Sequence, residues 1–244
     1  MKLRLEIAYH GGGLNGWQSQ ACGNTVQDHL EKAFAALCPD RIIVHGAGRT
    51  DAGVHADAQS AHADVPDGRL AIQEWLPALN AHLPDAIRVT KIQEAPSDFH
   101  ARFSAQSKIY RYTLWNAPAL HPLWKDRAWH VPGELDFEKF QRACALFVGT
   151  HDFAAFSLRR TNGVEDTVRT IHSIECQRSL EKIEIVFSGE GFLYKMVRIL
   201  SAAIVRYGSG KVEIEDLEDR LRRATQTFMH SAPAAGLCLV RVVY

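Results

Sequence analysis

Within this 244-residue chain, the run Gly46-Ala47-Gly48-Arg49-Thr50-Asp51-Ala52-Gly53-Val54-His55-Ala56 places an Arg and an Asp two residues apart among three glycines. Glycines let backbone turn through conformations closed to other residues and let a large ligand approach the chain, and the small neighbours leave both charged side chains uncrowded. A carboxylate beside a guanidinium stays ionised at neutral pH. Asp51 is therefore a candidate nucleophile or base, with Arg49 as its cationic neighbour.

Other chemistries fit the spacing less well. A phosphate loop needs Lys followed by Ser or Thr after its last glycine, but Gly53 is followed by Val54-His55. The dinucleotide fingerprint fails because Asp51 occupies its third glycine position and a strand pattern follows the loop. A metal site drawn from His45, Asp51, His55, Asp57 and His62 is chemically possible, although no pair of these lies at i, i+4 on a helix. A structural glycine-rich turn with a surface ion pair remains open.

The elements that must position this run show an internal echo. Leu3, Leu5, Ile7 and Tyr9 alternate as one face of a strand; Thr25 then caps a helix to about Cys38, with Val26, Leu30, Ala33, Phe34 and Leu37 at helical spacing. Strands over Arg41–Gly46 and Ala58–Val65, a helix near Leu70–Ala81 interrupted by Pro77, and a strand near Ala86–Glu94 complete a βαββαβ order. From Ser107 the pattern recurs. It has a strand to Trp115, a helix over Asp136–Val148, strands over Val168–Arg178 and Lys182–Ser188, helices over Gly191–Tyr207 and Glu215–Ala224, and a closing strand over Gly236–Tyr244. The fold class expected is α+β: two ferredoxin-like halves, 1–104 and 105–244, facing each other across a cleft.

Composition narrows the partners. The chain has 28 basic and 28 acidic residues, nine against twelve in residues 1–104 and nineteen against sixteen in the remainder. A neutral protein can still present a basic groove if Arg49, Arg102, Lys108, Arg111, Arg159, Arg160, Lys195, Arg198 and Arg206 converge. The five cysteines are odd in number and contain no Cys-x-x-Cys pair, so reduced and mostly buried thiols are expected in a cytoplasmic protein. No apolar run is long enough to cross a bilayer, and no membrane partner is expected. The loop Tyr9–Gln18 carries Trp17, an aromatic suited to contact with an RNA strand. The loop Pro118–Pro132, with Trp124 and Trp129, reads as a packed excursion. The charges of Glu213–Arg223 read as a solvated helix face.

The run Gly48–His55 resembles the signature of the tRNA pseudouridine synthase A family, whose nucleophile is the Asp of that run. Gly16-Trp17-Gln18, Thr25-Val26-Gln27, Asp98–Ala105, Tyr110-Arg111-Tyr112, His151-Asp152-Phe153, Thr167–Ile171, Gly191–Arg198 and Ala232–Leu237 are similar to further family blocks, in family order. This chain departs from the pattern at His10, Leu14 and Asn15. The resemblance implies that the two halves share a continuous antiparallel or mixed sheet around a central catalytic cleft. It implies isomerisation of uridine to pseudouridine at positions 38, 39 or 40 in the anticodon stem-loop of tRNA, by a homodimer that uses neither cofactor nor metal. It assigns catalytic roles to Asp51, Arg49, Arg198 and Tyr110, and substrate contacts to Tyr110, Arg49, Arg102, Leu193 and Val197. Two alternatives from other classes are a non-catalytic RNA-binding protein of ferredoxin-like fold and a metal-dependent hydrolase using the His/Asp cluster.

Overall fold

The computed structural model describes residues 1–158, 166–223 and 227–244. These form two compact units, Met1–Gln106 with Cys238–Tyr244, and Ser107–Leu237.

The first unit opens with β1, Lys2–Tyr9, whose alternation is literal: Leu3, Leu5, Ile7 and Tyr9 are buried while their neighbours are half-exposed. Helix α1, Val26–Leu37, starts where the Thr25 hydroxyl accepts from the Asp28 N–H and the Asp28 carboxylate accepts from the Thr25 N–H, a reciprocal cap that satisfies two otherwise orphaned donors. Then come β2, His45–Gly46, β3, His55–Asp64, α2, Ile72–Ala81, and β4, Ile87–Glu94. Phe34 of α1 meets Trp75 of α2 at a ring separation of 5.8 Å, both fully buried. The strand expected over Arg41–Gly46 shortens to β2 because the Val44 N–H donates to the Glu31 carboxylate and not to a neighbouring strand. Pro77 does not interrupt α2; it sits on the exposed face, where water can serve the carbonyl one turn earlier.

The second unit contains β5, Ser107–Trp115, β6, Trp129–His130, α3, Phe137–Leu146, β7, Gly149–Asp152, β8, Val168–Ser179, β9, Lys182–Gly189, α4, Met196–Gly208, and α5, Ile214–Arg223. Its strands run β5-β9-β8-β7, all antiparallel, with β6 parallel to β5. On α5 the solvated-face reading holds: Arg220 pairs with Asp216 at 3.1 Å and Arg223 with Asp219 at 2.8 Å. The expected helix end at Ala224, and Arg159 and Arg160, lie outside the described residues. Helix α4 begins at Met196 and not at Gly191, because Lys195 takes φ 58°, a left-handed conformation that cannot continue a helix backwards. The final strand, β10, Leu237–Val243, runs parallel to β3 with Cys238 opposite His55, so the first unit's sheet has the order β4-β1-β3-β10, with β2 also on β3. All five cysteines are free thiols. Among the described residues no helix is long and apolar enough to cross a membrane.

Register in the first unit sorts β3 into two faces. Ala61 and Ala63 lie opposite Leu5 and Leu3, whereas Ser60 and His62 lie opposite Glu6 and Arg4. On the second face His62 stacks on His45 at 4.9 Å and meets His100 at 4.6 Å, and its Nδ1 accepts the Ala101 N–H at 3.1 Å. That acceptor role requires neutral Nδ1. Burial, then the charges of His100, His45 and Lys2, pull His62 down to about 4, with Asp64 opposing. An unfolded His titrates near 6.5, so between 6.5 and about 4 the unfolded chain binds a proton that the folded chain refuses. The stability His62 contributes is thus complete above pH 6.5 and lost as pH falls through that window. Urea midpoints measured at pH 7 and pH 4.5 should show a smaller acid loss for His62→Gln, which keeps an acceptor for Ala101, than for the parent chain.

Candidate active site

Asp51 stands in a loop that is knitted to the segment following β1. Tyr9 Oη and Thr50 Oγ1 are 2.8 Å apart and buried. The Gly11 N–H donates to His55 Nδ1 at 3.0 Å, which places the neutral ring's proton on Nε2. The Trp17 N–H donates to the Thr50 carbonyl at 3.1 Å, and Gln59 Nε2 donates to the Gly48 carbonyl at 2.9 Å. Asp51 itself opens a four-residue turn closed by the Val54 N–H on its carbonyl at 3.1 Å; Gly53, at φ 81°, takes the left-handed position there. The residues before the carboxylate are therefore pinned to β1 and β3, those after it close their own turn against the segment that follows β1, and Asp51 remains half-exposed. Arg49 is exposed, and its Nε donates to Gln18 Oε1 at 3.1 Å.

The same packing corrects the reading of Trp17. This indole is 2 % exposed and lies flat against Gly46, where an added Cβ would fall 2.4 Å from the ring. It is an internal strut and cannot stack on an RNA base. Of the candidate metal ligands, His45 and His62 stack on each other, but His62 serves Ala101 and His55 serves Gly11, and among the described residues no three His, Cys, Asp or Glu side chains are grouped to hold an ion. Arg102 lies on the segment after β4, exposed, with its guanidinium 5.5 Å over the Phe103 ring. The preceding peptide is fixed by the Ala101 bond to His62.

In the second unit, Tyr110 on β5 faces Phe187 across the ladder and takes an edge-to-face contact from Phe192 at 5.2 Å. That contact brings the 191–198 segment onto the strand. Leu193 and Val197 are buried around the left-handed Lys195, and the Met196 N–H donates to the Leu193 carbonyl at 3.1 Å. Arg198, half-buried in the first turn of α4, donates Nε to the Ala232 carbonyl at 2.8 Å, and the Ala232 N–H returns a bond to the Arg198 carbonyl. Tyr112 shares the Tyr110 face but is committed to the scaffold: its hydroxyl donates to the Pro233 carbonyl at 2.7 Å, and burial pushes the phenol far above its ordinary range. Arg111 projects from the opposite face and pairs with Glu184 at 3.5 Å, so it does not join Tyr110 as part of one basic groove. Sequence spacing gave no sign of Phe192 or of the Tyr9–Thr50 bond, because both depend on contacts between distant segments.

Comparison with known proteins identifies the family. The family model described as tRNA pseudouridine synthase matches residues 10–104 and 143–244. The matched segments carry Arg49, Asp51, Arg102, Leu193, Val197 and Arg198, while Tyr110 lies between them. Among similar proteins, the tRNA pseudouridine synthase A of Akkermansia muciniphila is 44% identical over 100% of this chain and 95% of its own, and that of Solidesulfovibrio magneticus is 46% identical over 100% and 91%. A third, from Bacillus licheniformis, is 41% identical over 100% of this chain and 99% of its own. The chain belongs to the tRNA pseudouridine synthase family.

Because a methyl group at position 46 has nowhere to go but into the Trp17 ring, Gly46→Ala should cost about 1–3 kcal/mol, the usual scale of overpacking. Thermal unfolding of the variant checks this, and Gly46→Ala combined with Trp17→Leu should recover part of the loss.

Proposed function

We propose that this chain isomerises uridine to pseudouridine in tRNA, in the anticodon stem-loop, with Asp51 as nucleophile. The observation that carries the reading is that the family's aspartate run coincides with a half-exposed carboxylate whose preceding residues, Gly48 and Thr50, are tied to β3 and β1. The reaction breaks the N1–C1′ bond, turns the uracil and forms a C5–C1′ bond. A proton leaves C5 and N1 gains one, so atoms and electrons balance with no external donor. A carboxylate adduct, at the ribose or at the base ring, can hold the reactive fragment during the turn. Arg49 holds the flipped nucleotide beside the carboxylate and Arg102 adds a phosphate contact. Leu193 and Val197 supply apolar lining, Arg198 a cation, and Tyr110 the ring that meets uracil and handles the C5 proton.

Extruding a base from a stem costs a few kcal/mol, offset by phosphate contacts and stacking. A chain whose basic and acidic residues balance at 28 each has little net charge with which to wrap a tRNA arm alone. A homodimer with tRNA touching both copies, acting in the cytoplasm, meets that requirement.

Asp51→Asn keeps the turn, whose hydrogen bond is made by backbone, so the variant should fold and bind tRNA yet release no tritium from uracil C5. Turnover above background would remove Asp51 from its role. Tyr110→Phe retains the stacking ring, so its tRNA affinity should stay within about threefold of the parent, below the roughly 1–3 kcal/mol at stake in a whole stacking ring. Its single-turnover rate should fall by about 10²-fold, the scale of a lost general acid or base. Tritium release at the parent rate would confine Tyr110 to packing.

A further inference from the structure

A cavity of about 540 Å³ opens in the second unit between the C-terminal half of α4, the β6 strand and residues 229–231, and neither Tyr110 nor Phe192 is among its walls. Its walls include Trp129, His130, Arg206, Lys211, Met229 and His230, and among the described residues no Asp or Glu lines it. In a chain whose charges balance overall, walls that carry Arg, Lys and two His without an acid are a local segregation. Arg206 Nε is buried with no hydrogen-bond partner among the described residues, and neither Arg206 nor Lys211 makes an ion pair there. The last turn of a helix welcomes a cation, which accounts for Arg206 as a charge. It does not account for Lys211 and the histidines on the same walls, nor for a guanidinium N–H buried without an acceptor, an arrangement that is unfavourable until something accepts from it.

Trp129 gives the cavity a second character. The loop that carries it packs its other indole, Trp124, on Trp115 at 5.7 Å, but Trp129 is only half-buried, held edge-on by Tyr112 at 6.2 Å. The His130 ring is oriented by donating Nε2–H to the Ala117 carbonyl at 2.8 Å. Met229, 84 % exposed, stands at the rim. A flat aromatic wall beside clustered cations matches one ligand chemistry: a base to stack and a phosphate to pair. The volume lies within the roughly 300–1,000 Å³ of small-molecule sites.

We propose that this cavity binds a nucleotide, its phosphate on Arg206 and Lys211 and its base against Trp129. The nucleotide is either an unpaired residue of the RNA substrate, a source that rests on the function proposed above, or a free mononucleotide. Calorimetry with uridine 5′-monophosphate and filter binding of tRNA at two salt concentrations, on the full chain, on Lys211→Ala/His230→Ala and on Arg206→Gln, distinguish these. Variants are compared only where thermal midpoints match the parent, and the exposed pair Lys211 and His230 is the variant expected to meet that condition.

If RNA is the source, tRNA affinity should fall by about tenfold or more and the salt slope should flatten by about one to two phosphates. If a free nucleotide is the source, binding of uridine 5′-monophosphate is lost while tRNA affinity is unchanged. Either result supports the assignment. It is overturned if neither mononucleotide binding nor tRNA affinity falls in the variants, or if weakened tRNA binding coincides with a change in sedimentation, which would make the cavity a contact between copies. A parent chain that binds the mononucleotide, loses that binding on Lys211→Ala/His230→Ala and yet forms no pseudouridine would defeat the proposed function and leave the cavity assignment standing.

Discussion

The buried contact between the Tyr9 and Thr50 hydroxyls joins the end of the first strand to the residue before the candidate nucleophile. A reactive carboxylate on a glycine-rich loop gains nothing from its chemistry unless the loop has one conformation, since misplacement by an ångström can cost about 10²-fold in rate. Here the loop does not hold itself. It borrows rigidity from β1 through Tyr9, from the following segment through Gly11 and Trp17, and from β3 through Gln59. The small residues around Asp51 are accordingly the complement of a large one: Gly46 is the floor on which the Trp17 indole lies.

The second unit solves a similar problem with a helix terminus. Lys195 in a left-handed conformation turns the chain so that Phe192 reaches the strand while Val197 and Arg198 enter the first turn of α4. Two tyrosines on one face of β5 then part ways. Tyr112 spends its hydroxyl on a carbonyl, and Tyr110 presents its ring edge-on to Phe192. Identical residue types two positions apart thus end with different duties, set by what the neighbouring segment offers and not by the strand itself.

Much of this was legible before any coordinates. Period-two and helical spacing located β1, α1, β5, β8 and β9 to within about two residues, because each buries one apolar face and carries a cap or turn at its ends. Asp51 and Arg49 stood out by residue type alone. What spacing did not convey was the destination of side chains. Trp17 looked like a ligand platform because nothing local says that a glycine twenty-nine positions on will receive it. The α4 start was placed early because an apolar run does not register one positive φ at Lys195. Strand β7, Gly-Thr-His-Asp, has no alternation to read and exists only because β8 offers it an edge.

The pairing of β10 with β3 has a consequence for how the chain comes into being. Residues 238–244 supply the first unit with a strand, an arginine-stacking ring in Tyr244, and a phenol that donates to the Ala101 carbonyl. During synthesis the strands β1 to β4 emerge early, but β3 keeps an unsatisfied edge beside His55 and Ala56 until that far segment has left the ribosome. The strand pairing at His55 and Ala56 is thus fixed later than the bonds that hold the loop to β1 and Gln59, so a partly made chain carries the residues of the site without that one edge closed.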